Sequence, residues 1–339
     1  MGRLSIPHPH RLLLPSPSPL HPSSSASTIP RRSRFSPSAH RQIRSELSLS
    51  CGSHLVPHPA KVDKGGEDAF FVTNHNGGVL AVADGVSGWA EQSIDPALFS
   101  QELMANASGL VVDEEVSYDP QALMRKAHAA TSSVGSATVI IAMLEKDGTL
   151  KVANVGDCGL RLIRREQVVF ATSPQEHYFD CPYQLSSEKI GQTYQDAMVC
   201  SVELMEGDIV VLGSDGLFDN VFDHEIISIV SGSPEVAEAA KILANLASNH
   251  SKDPNFDSPY SMEARSRGFD VPWWKKILGR KLTGGKLDDI TVIVGRIISS
   301  SDSREGERME EKKGISEVTG ERMEKKKGDN PLHKEMHYR

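Results

Sequence analysis

Pairs of short apolar segments joined by tight turns constrain the fold of this 339-residue chain more than any other feature. Such short connections cannot cross over a sheet, so the joined strands must pair antiparallel. Several segments are almost continuously apolar, which indicates that both faces of the sheet are covered. The predicted pairs are 70–73 with 79–83, 139–144 with 150–155 and 160–164 with 168–172, and further strands are predicted at 209–212 and 290–298.

Two segments with helical periodicity can supply that cover. The first is predicted to begin at Asp119 and Pro120. The second is predicted to begin with Ser233 as the N-cap and Pro234 at the first helical position. Helices outside antiparallel sheets make an α+β fold. If two sheets stack, the layers follow the order helix, sheet, sheet, helix.

The two ends of the chain differ in composition from its middle. The first fifty residues contain thirteen Ser, eight Pro and seven Arg but a single acid, Glu46. This composition is typical of an organelle transit peptide, which stays unfolded and positive for import. Abundant Ser and Pro favour the chloroplast. A mitochondrial leader and a plain disordered tail are the alternatives.

These shifts in composition predict three regions. We expect a transit peptide at 1–50, a folded domain at 51–299 and a disordered tail at 300–339. The tail repeats the motif Gly-Glu-Arg-Met-Glu and interleaves Glu with Lys. It has too little apolar surface to offset the entropy lost on ordering.

Composition also excludes several classes of function. The whole chain carries a net charge of -8 although its leader is basic, so the middle is strongly acidic and a nucleic-acid partner is not expected. No apolar stretch approaches the ~20 residues that span a bilayer, so no transmembrane segment is predicted. The four cysteines lack metal or disulfide spacing, and we interpret them as free thiols.

Short acidic segments recur at the boundaries of the predicted strands. A single Asp-Gly is usually a turn, as expected for Asp147-Gly148. Five such segments at strand ends would crowd their carboxylates at one rim, where they would repel each other unless cations neutralise them. Mg²⁺ and Mn²⁺ are the natural partners of such oxygen ligands. The segments contain Glu67-Asp68, Asp84-Gly85, Asp157, Asp215-Gly216 and Asp288-Asp289.

The predicted reaction follows from that cluster. Two divalent cations can share a carboxylate, lower the pKa of a bound water and neutralise phosphate oxygens. The chain has no Gly-x-Ser-x-Gly elbow or Walker glycine loop that would supply another mechanism. We therefore predict a metal-dependent hydrolase in which Asp84, Asp215 and Asp288 are the principal catalytic residues.

The same segments, in the same order, resemble the signature motifs of type 2C protein phosphatases, the metal-dependent serine/threonine phosphatases of the PPM family. The resemblance covers about 51–299, and the ending Gly-Gly-Lys-Leu-Asp-Asp-Ile-Thr is similar to the organellar branch. It implies an α-β-β-α sandwich of two antiparallel sheets. The motifs are Glu67-Asp68-Ala69, Ala83-Asp84-Gly85-Val86-Ser87-Gly88-Trp89, Asn154-Val155-Gly156-Asp157, Gly213-Ser214-Asp215-Gly216-Leu217-Phe218-Asp219 and Asp288-Asp289-Ile290-Thr291.

The resemblance implies a role for each acidic position in binding two Mg²⁺ or Mn²⁺ ions. Asp84 would bridge the two ions, and the carbonyl of Gly85 would bind one of them. Asp215 and Asp288 would complete the shell of one ion.

Four further residues have implied roles around the same ions. Glu67 and Asp68 would hold waters on the cluster. Asp157 and Asp219 match positions that contribute to a third, weaker metal.

The implied reaction is hydrolysis of phosphoserine and phosphothreonine in proteins by attack of metal-bound hydroxide. The chloroplast leader and the organellar motif make photosystem II core subunits at the thylakoid surface candidate substrates. A monomer is expected. The alternatives are a pseudophosphatase that binds phosphoproteins without turnover and a mitochondrial phosphatase of the same family.

The chain departs from the family pattern at two positions. Val86 stands where many members have a histidine that is proposed to protonate the leaving group, so a metal-bound water or another residue such as His177 would have to serve. Asp63 stands where many members have a phosphate-binding arginine, for which Lys61 or Lys64 could substitute as a point charge.

Overall fold

The computed structural model describes residues 46–188, 191–272, 275–276 and 279–299. The predicted tail and nearly all of the predicted transit peptide lie outside the described residues, so those interpretations stay predictions. In chain order the strands are β1 (Leu47–Val56), β2 (Asp68–Thr73), β3 (Val79–Gly85), β4 (Ser136–Leu144), β5 (Thr149–Val155), β6 (Gly159–Arg164), β7 (Gln167–Ala171), β8 (Glu176–Tyr178), β9 (Cys181–Pro182), β10 (Leu185–Ser186), β11 (Met198–Glu203), β12 (Ile209–Gly213) and β13 (Ile290–Ser299).

Helices connect these strands. The α-helices are α1 (Pro96–Leu110), α2 (Pro120–Ala130), α3 (Asp215–Phe218), α4 (Asp223–Gly232), α5 (Val236–Lys252) and α6 (Pro259–Ser266). Short 3-10 helices cover Val62–Lys64, His75–Gly77, Ser87–Gln92 and Tyr194–Asp196.

The strands form two large antiparallel sheets. The first has the order β1-β13-β12-β6-β7, and the second has the order β11-β5-β4-β3-β2 with β10 paired to β4. A separate hairpin joins β8 to β9. The three predicted strand pairs are confirmed as β2–β3, β4–β5 and β6–β7. β12 pairs with β13, which brings the last two predicted strands together.

Alternating side chains of each sheet enter different apolar layers. On β3, Leu80 and Val82 are buried between the two sheets, whereas Ala81 packs towards α1 and α2. On β12, Leu212 faces the layer between the sheets and Val211 faces α4 and α5. This alternation explains why the strands are apolar at consecutive positions, and it confirms the α+β fold with the layer order α-β-β-α.

The start of α2 is as predicted, but the start of α5 is not. Asp119 caps α2 by accepting hydrogen bonds from two backbone N–H groups. The segment Ser233-Pro234 instead belongs to the link between α4 and α5: the N–H of Ser233 bonds to the Ile229 carbonyl and closes α4. Arg296 donates to the carbonyls of both link residues, which holds them outside the helix. Helix α5 therefore begins two positions later, at Val236.

The first strand begins earlier than the predicted domain boundary at 50/51. Leu47 pairs with Ser299, and Leu49 is buried between the sheets. The alternation of Leu and Ser before Cys51 is therefore a strand pattern, although its serines resemble the leader in composition. The described cysteines are all free thiols, as predicted. In the part of the chain that the structure describes, no helix has the length and apolar character needed to cross a membrane.

Candidate metal centre

The predicted aspartates lie at one edge of the stacked sheets because of the order in which the strands are arranged. Asp68 on β2 lies opposite Asp84 at the end of β3. Asp157 follows β5, Asp215 follows β12, and Asp288 lies just before β13. A cleft of about 260 Å³ is lined by Asp84, Gly85, Asp157, Asp215 and Asp288. The prediction that strand ends would bring these acids together is therefore correct.

A lysine that the motif analysis left without a role lies among these acids. Nζ of Lys286 is 2.6 Å from Asp215 Oδ2, 3.1 Å from Asp219 Oδ2 and 3.9 Å from Asp288 Oδ2. It also contacts Asp180 Oδ1 at 3.1 Å. The sequence does contain an indication that Lys286 belongs to the site. It is a basic residue two positions before Asp288, inside motifs that are otherwise acidic.

Asp180 is the second residue that sequence reasoning missed. It lies in the turn between β8 and β9 with a left-handed φ of 61°. Its Oδ2 accepts a hydrogen bond from the Tyr260 hydroxyl at 3.2 Å, and the residue lines the cleft beside Asp84. No glycine neighbours it and no long strand ends there, so the pattern of the other acids did not include it.

Glu67 and Asp68 are held by different partners. The carboxylate of Glu67 accepts hydrogen bonds from Nζ of Lys61 and from the Ser87 hydroxyl. Asp68 is buried, and its Oδ2 accepts a hydrogen bond of 2.7 Å from Thr291 Oγ1. The Thr of the last motif therefore orients a carboxylate on the neighbouring sheet.

Two carboxylate oxygens in the site lack hydrogen-bond partners. Oδ1 of Asp68 and Oδ1 of Asp215 are both buried, and the structure shows no partner for either among the residues it describes. An unpaired buried acceptor costs about 1–3 kcal/mol, so a ligand is expected at such atoms. Oxygen donors alone are the set that Mg²⁺ and Mn²⁺ prefer. The donors present therefore fit the predicted metal.

The charges of the site are unbalanced without metal. Burial, reinforced by the neighbouring carboxylates, raises the pKa of Asp84 and Asp157 well above the ordinary value. Burial likewise raises the pKa of Asp68 to about 8 and that of Asp288 to about 7. Burial opposes ionisation of Asp215 as well, but the adjacent Lys286 lowers its pKa overall. Divalent cations would allow the remaining carboxylates to ionise.

The carboxylates of the cleft are grouped around a lysine. Within the described ranges, no group of three or more His, Cys, Asp or Glu side chains could hold an ion as it stands. The carboxylates converge instead on the ammonium of Lys286. The donor chemistry thus fits Mg²⁺ or Mn²⁺, while the positions of Asp215 and Asp288 are those set by a lysine.

Asp219, which the resemblance associates with a third metal, contacts Lys286 but does not line the acidic cleft. An adjoining cavity of about 210 Å³ is lined by Asp157, Asp215, Asp219 and Lys286. Burial raises the pKa of Asp219 to about 7 in spite of the nearby ammonium. Asp157 and Asp215 line both cavities, so the two parts of the predicted site are contiguous.

The glycines beside the aspartates are required by close packing rather than by turns. A Cβ on Gly85 would lie 2.8 Å from the carbonyl oxygens of Glu67 and Pro96. A Cβ on Gly216 would lie 2.1 Å from the Asp289 carbonyl oxygen. By contrast, Asp147 makes an ordinary turn as predicted, with its Oδ1 accepting from the Thr149 N–H.

The candidate phosphate-binding lysines differ in position. Lys61 Nζ is held 2.6 Å from Glu67 and 3.3 Å from Asp289, at the rim of the site. Lys64 pairs with Asp95 at 3.6 Å, and its side chain is 71% exposed. Of the two, Lys61 is the one in contact with a predicted site residue.

Val86 and His177 line a neighbouring cavity of about 540 Å³. The His177 ring lies 4.5 Å from the Tyr183 ring, and its Nε2 is 3.1 Å from Gln192 Nε2. His177 is not among the residues that line the acidic cleft. A role for His177 as proton donor therefore stays a prediction.

Two stacked antiparallel sheets covered by helices, with an acidic cleft at their strand ends, define a fold and site of the metal-dependent phosphatase class. Probable protein phosphatase 2C 1 of Oryza sativa subsp. japonica is 63% identical over 313 residues, which cover 92% of this chain and 91% of that protein. Probable protein phosphatase 2C 26 of Arabidopsis thaliana is 62% identical over 298 residues, covering 88% and 98%. The chain belongs to the protein phosphatase 2C family and is a protein serine/threonine phosphatase.

Solved structures agree with this assignment. The X-ray structure of the photosystem II phosphatase PBCP is 69% identical, covers 74% of this chain and 98% of its own, and superimposes with a TM-score of 0.72. The catalytic domain of the phosphatase PstP, in complex with two manganese ions, is 19% identical with a TM-score of 0.52. It covers 74% of this chain and 99% of its own, and at that identity it shows the fold alone. No protein-family model matches the chain.

Proposed function

We propose that this phosphatase removes phosphate from phosphoserine and phosphothreonine in photosystem II core proteins of the chloroplast, using Mn²⁺ or Mg²⁺ bound in the acidic cleft. The observation that carries the metal proposal is the convergence of Asp84, Asp157, Asp215 and Asp288 on one cleft. The substrate proposal is supported by the 69% identity to a structure named as a photosystem II phosphatase. The chloroplast is supported by the composition of the leader.

The proposed ligand set uses the strand-end residues. Asp84 would bridge two ions, the Gly85 carbonyl would bind one, and Asp215 and Asp288 would complete one shell. When bound, two such ions lower the pKa of a water and neutralise phosphate oxygens. A third ion would bind between Asp157 and Asp219.

The chain's own residues would position water and substrate around that cluster. Thr291 fixes Oδ2 of Asp68, which leaves the unpartnered Oδ1 available to accept a hydrogen bond from water. Lys61 and Ser87 orient the Glu67 carboxylate in the same way. These contacts support the proposed role of both acids, which is to hold ordered waters rather than to ligate a metal directly.

The proton for the leaving serine or threonine oxygen cannot come from Val86, whose side chain is apolar. His177 shares a cavity with Val86 and is the proposed protein source, and water is the alternative. The His177→Gln variant distinguishes His177 from water as the source of the proton. A loss of kcat that is larger for alkyl phosphoesters than for an activated aryl phosphate indicates His177, since the activated leaving group needs no proton. An equal effect on both substrates indicates water.

A phosphothreonine peptide tests the proposed metal-dependent reaction. Hydrolysis by the full chain should require Mn²⁺ or Mg²⁺ and stop in EDTA. Asp84→Asn should reduce kcat by at least about 100-fold, because loss of one preorganised charged group commonly has an effect of this order. Asp147→Asn changes an Asp-Gly pair in an ordinary turn and should leave the rate unchanged. Full activity in EDTA, or in Asp84→Asn, would contradict the proposal.

The pseudophosphatase alternative rests on Val86 and Asp63, which replace a histidine and an arginine of the family pattern. It is not favoured, because each predicted metal carboxylate is present and the relatives are named as phosphatases.

A fusion of residues 1–50 to a fluorescent protein tests the proposed location. Fluorescence confined to chloroplasts is expected, and fluorescence in mitochondria would move the enzyme to the alternative organelle. Dephosphorylation of isolated thylakoids then tests the substrate. Loss of phosphothreonine from photosystem II core subunits is expected, and their persistence while other thylakoid phosphoproteins are processed would exclude them.

A further inference from the structure

We propose that Lys286 is a built-in counter-cation of the metal centre, which neutralises the cleft when divalent ions are absent and competes with them for Asp215 and Asp288. The inference rests on the proposed function, because it concerns the replacement of a lysine by metal as the partner of the same carboxylates. The contact would thus lower the affinity of the cleft for metal and stabilise the metal-free protein.

The ammonium of Lys286 contacts two of the carboxylates that are proposed to bind metal. Nζ lies 2.6 Å from Asp215 Oδ2 and 3.9 Å from Asp288 Oδ2, and both residues are proposed direct ligands. A positive group at that distance from a carboxylate oxygen repels a divalent cation that approaches the same oxygen. Lys286 must therefore leave Asp215 Oδ2 before an ion can be bound by that oxygen, and its charge also opposes an ion at the unpartnered Oδ1.

The other cation at the site is arranged differently. Lys61 contacts Glu67 and Asp289, neither of which is a proposed direct ligand. A metal bound to Asp84, Asp215 and Asp288 would not need to displace Lys61. Of these two lysines, Lys286 is therefore the one expected to compete with metal.

The structure also provides a place for the displaced ammonium. Asp180, in the turn between β8 and β9, contacts Nζ at 3.1 Å and has a side chain that is 43% exposed. The Tyr260 ring centroid lies 5.5 Å from the same nitrogen. Because a lysine has a long flexible stem, Nζ can leave Asp215 while it keeps these outer contacts.

Charge balance explains why the cleft needs such a group. Four carboxylates, those of Asp180, Asp215, Asp219 and Asp288, have an oxygen within 3.9 Å of Lys286 Nζ, so the ammonium is a shared counter-ion of these acids. Without that charge, Asp215 and Asp219 would face each other with no counter-ion in the metal-free protein. The lysine thus stabilises the fold before metal is loaded.

Mn²⁺ affinity of the full chain tests this inference, measured by isothermal titration calorimetry at pH 8 after EDTA treatment and dialysis. Lys286→Met removes the charge and keeps the length of the side chain. It should bind Mn²⁺ about tenfold more tightly, the order expected when one charge-assisted contact no longer competes. Its metal-free form should at the same time melt at a lower temperature than the wild type.

Two variants serve as controls. Lys286→Arg keeps the positive charge and should not show the gain in affinity. Lys151→Met removes a lysine whose Nζ is 2.8 Å from Glu145, on the part of β5 remote from Asp157, and should leave Mn²⁺ affinity unchanged. If Lys286→Met does not fold without metal, Lys286→Gln provides the same comparison with a polar side chain.

The outcomes separate this inference from the proposed function. Wild-type protein that binds no Mn²⁺ would overturn the metal centre and the role of Lys286 with it. Wild-type protein that binds Mn²⁺, together with Lys286→Met that binds it equally or more weakly, would overturn the role of Lys286 alone. Tighter binding in Lys286→Met, with wild-type affinity in Lys151→Met, would support it.

Discussion

At the scale of single residues, Asp68 is a buried carboxylate whose orientation depends on one hydroxyl. Thr291 donates to its Oδ2 at 2.7 Å, while Oδ1 has no partner. The contact joins the last motif of the chain to the first. It therefore connects two segments that were recognised separately.

Thr291→Val removes this hydroxyl and keeps the shape of the side chain. The variant should lose about 1–3 kcal/mol of unfolding free energy, because Oδ2 of the buried Asp68 would lose the hydrogen bond from Thr291. Mn²⁺ affinity should fall as well. Thr291→Ser retains the hydroxyl and should remain close to wild type by urea denaturation and calorimetry. Equal losses in the two variants would show that packing, not the hydrogen bond, is responsible.

The raised pKa values predict an unusual pH dependence for the metal-free protein. The pKa is about 8 for Asp68 and about 7 for Asp219 and Asp288, whereas unfolded aspartates titrate near about 4. Between these values the folded state binds more protons than the unfolded state. The unfolding free energy contributed by these groups should therefore fall as pH rises from about 4 to about 8.

Urea denaturation of EDTA-treated protein at pH 5.5 and pH 8 measures this effect. Asp68→Asn lacks one of the titrating groups, so its unfolding free energy should fall less over the same interval. Saturating Mn²⁺ should abolish the fall in the wild type. A wild-type slope no steeper than that of Asp68→Asn would contradict the assignment of a raised pKa to Asp68.

The residue scale also shows what could be read from the sequence. Asp84, Asp215 and Asp288 were predictable because each lies at the end of an apolar strand, which is a local pattern. Lys286 and Asp180 meet only because the turn between β8 and β9 folds back onto the cleft. No local pattern records that contact, so neither residue received a role.

At the scale of elements, glycines set how closely the acidic segments approach each other. Gly216, at the start of α3, leaves no room for a Cβ beside the backbone of Asp289. The two acidic motifs that contain these residues therefore lie in direct contact. The position of Asp288 depends on that approach.

Gly216→Ala should displace the segment that carries Asp288. We expect a loss of about 1–3 kcal/mol in unfolding free energy, as for other overpacked sites, together with weaker Mn²⁺ binding. Gly109→Ala is the matched control in α1, where nothing lies within 4 Å of the added Cβ. It should be neutral or stabilising by up to about 1 kcal/mol, because alanine favours a helix. Similar losses in both variants would contradict the packing argument.

Elements with local signals were predicted more accurately than those without. The hairpins follow from their tight turns, and α2 follows from the Asp119 cap. The start of α5 was predicted wrongly because Ser233 and Pro234 have the residue types of a helix start. Arg296, on a distant strand, binds their carbonyls and keeps them in the link. The residue types at a helix start contain no information about such a tertiary contact.

At the scale of the whole molecule, the described strands and helices suffice to form all four layers and the cleft. A protein truncated to residues 46–299 should therefore fold, melt within a few degrees of the full chain and retain Mn²⁺-dependent hydrolysis of a phosphothreonine peptide. Differential scanning calorimetry and the peptide assay check this. A truncated protein that melts far below the full chain would show that the leader or the tail contributes to the folded domain.

The central claim is that the strand-end aspartates hold divalent metal. Anomalous X-ray scattering from crystals of the full chain grown with Mn²⁺ tests it most directly. Manganese peaks are expected in contact with Asp84, Asp215 and Asp288, with Nζ of Lys286 moved away from Asp215 Oδ2. Manganese bound only elsewhere would contradict the metal centre, whereas a cleft in which Lys286 still contacts Asp215 Oδ2 at saturating Mn²⁺ would contradict only the role of Lys286.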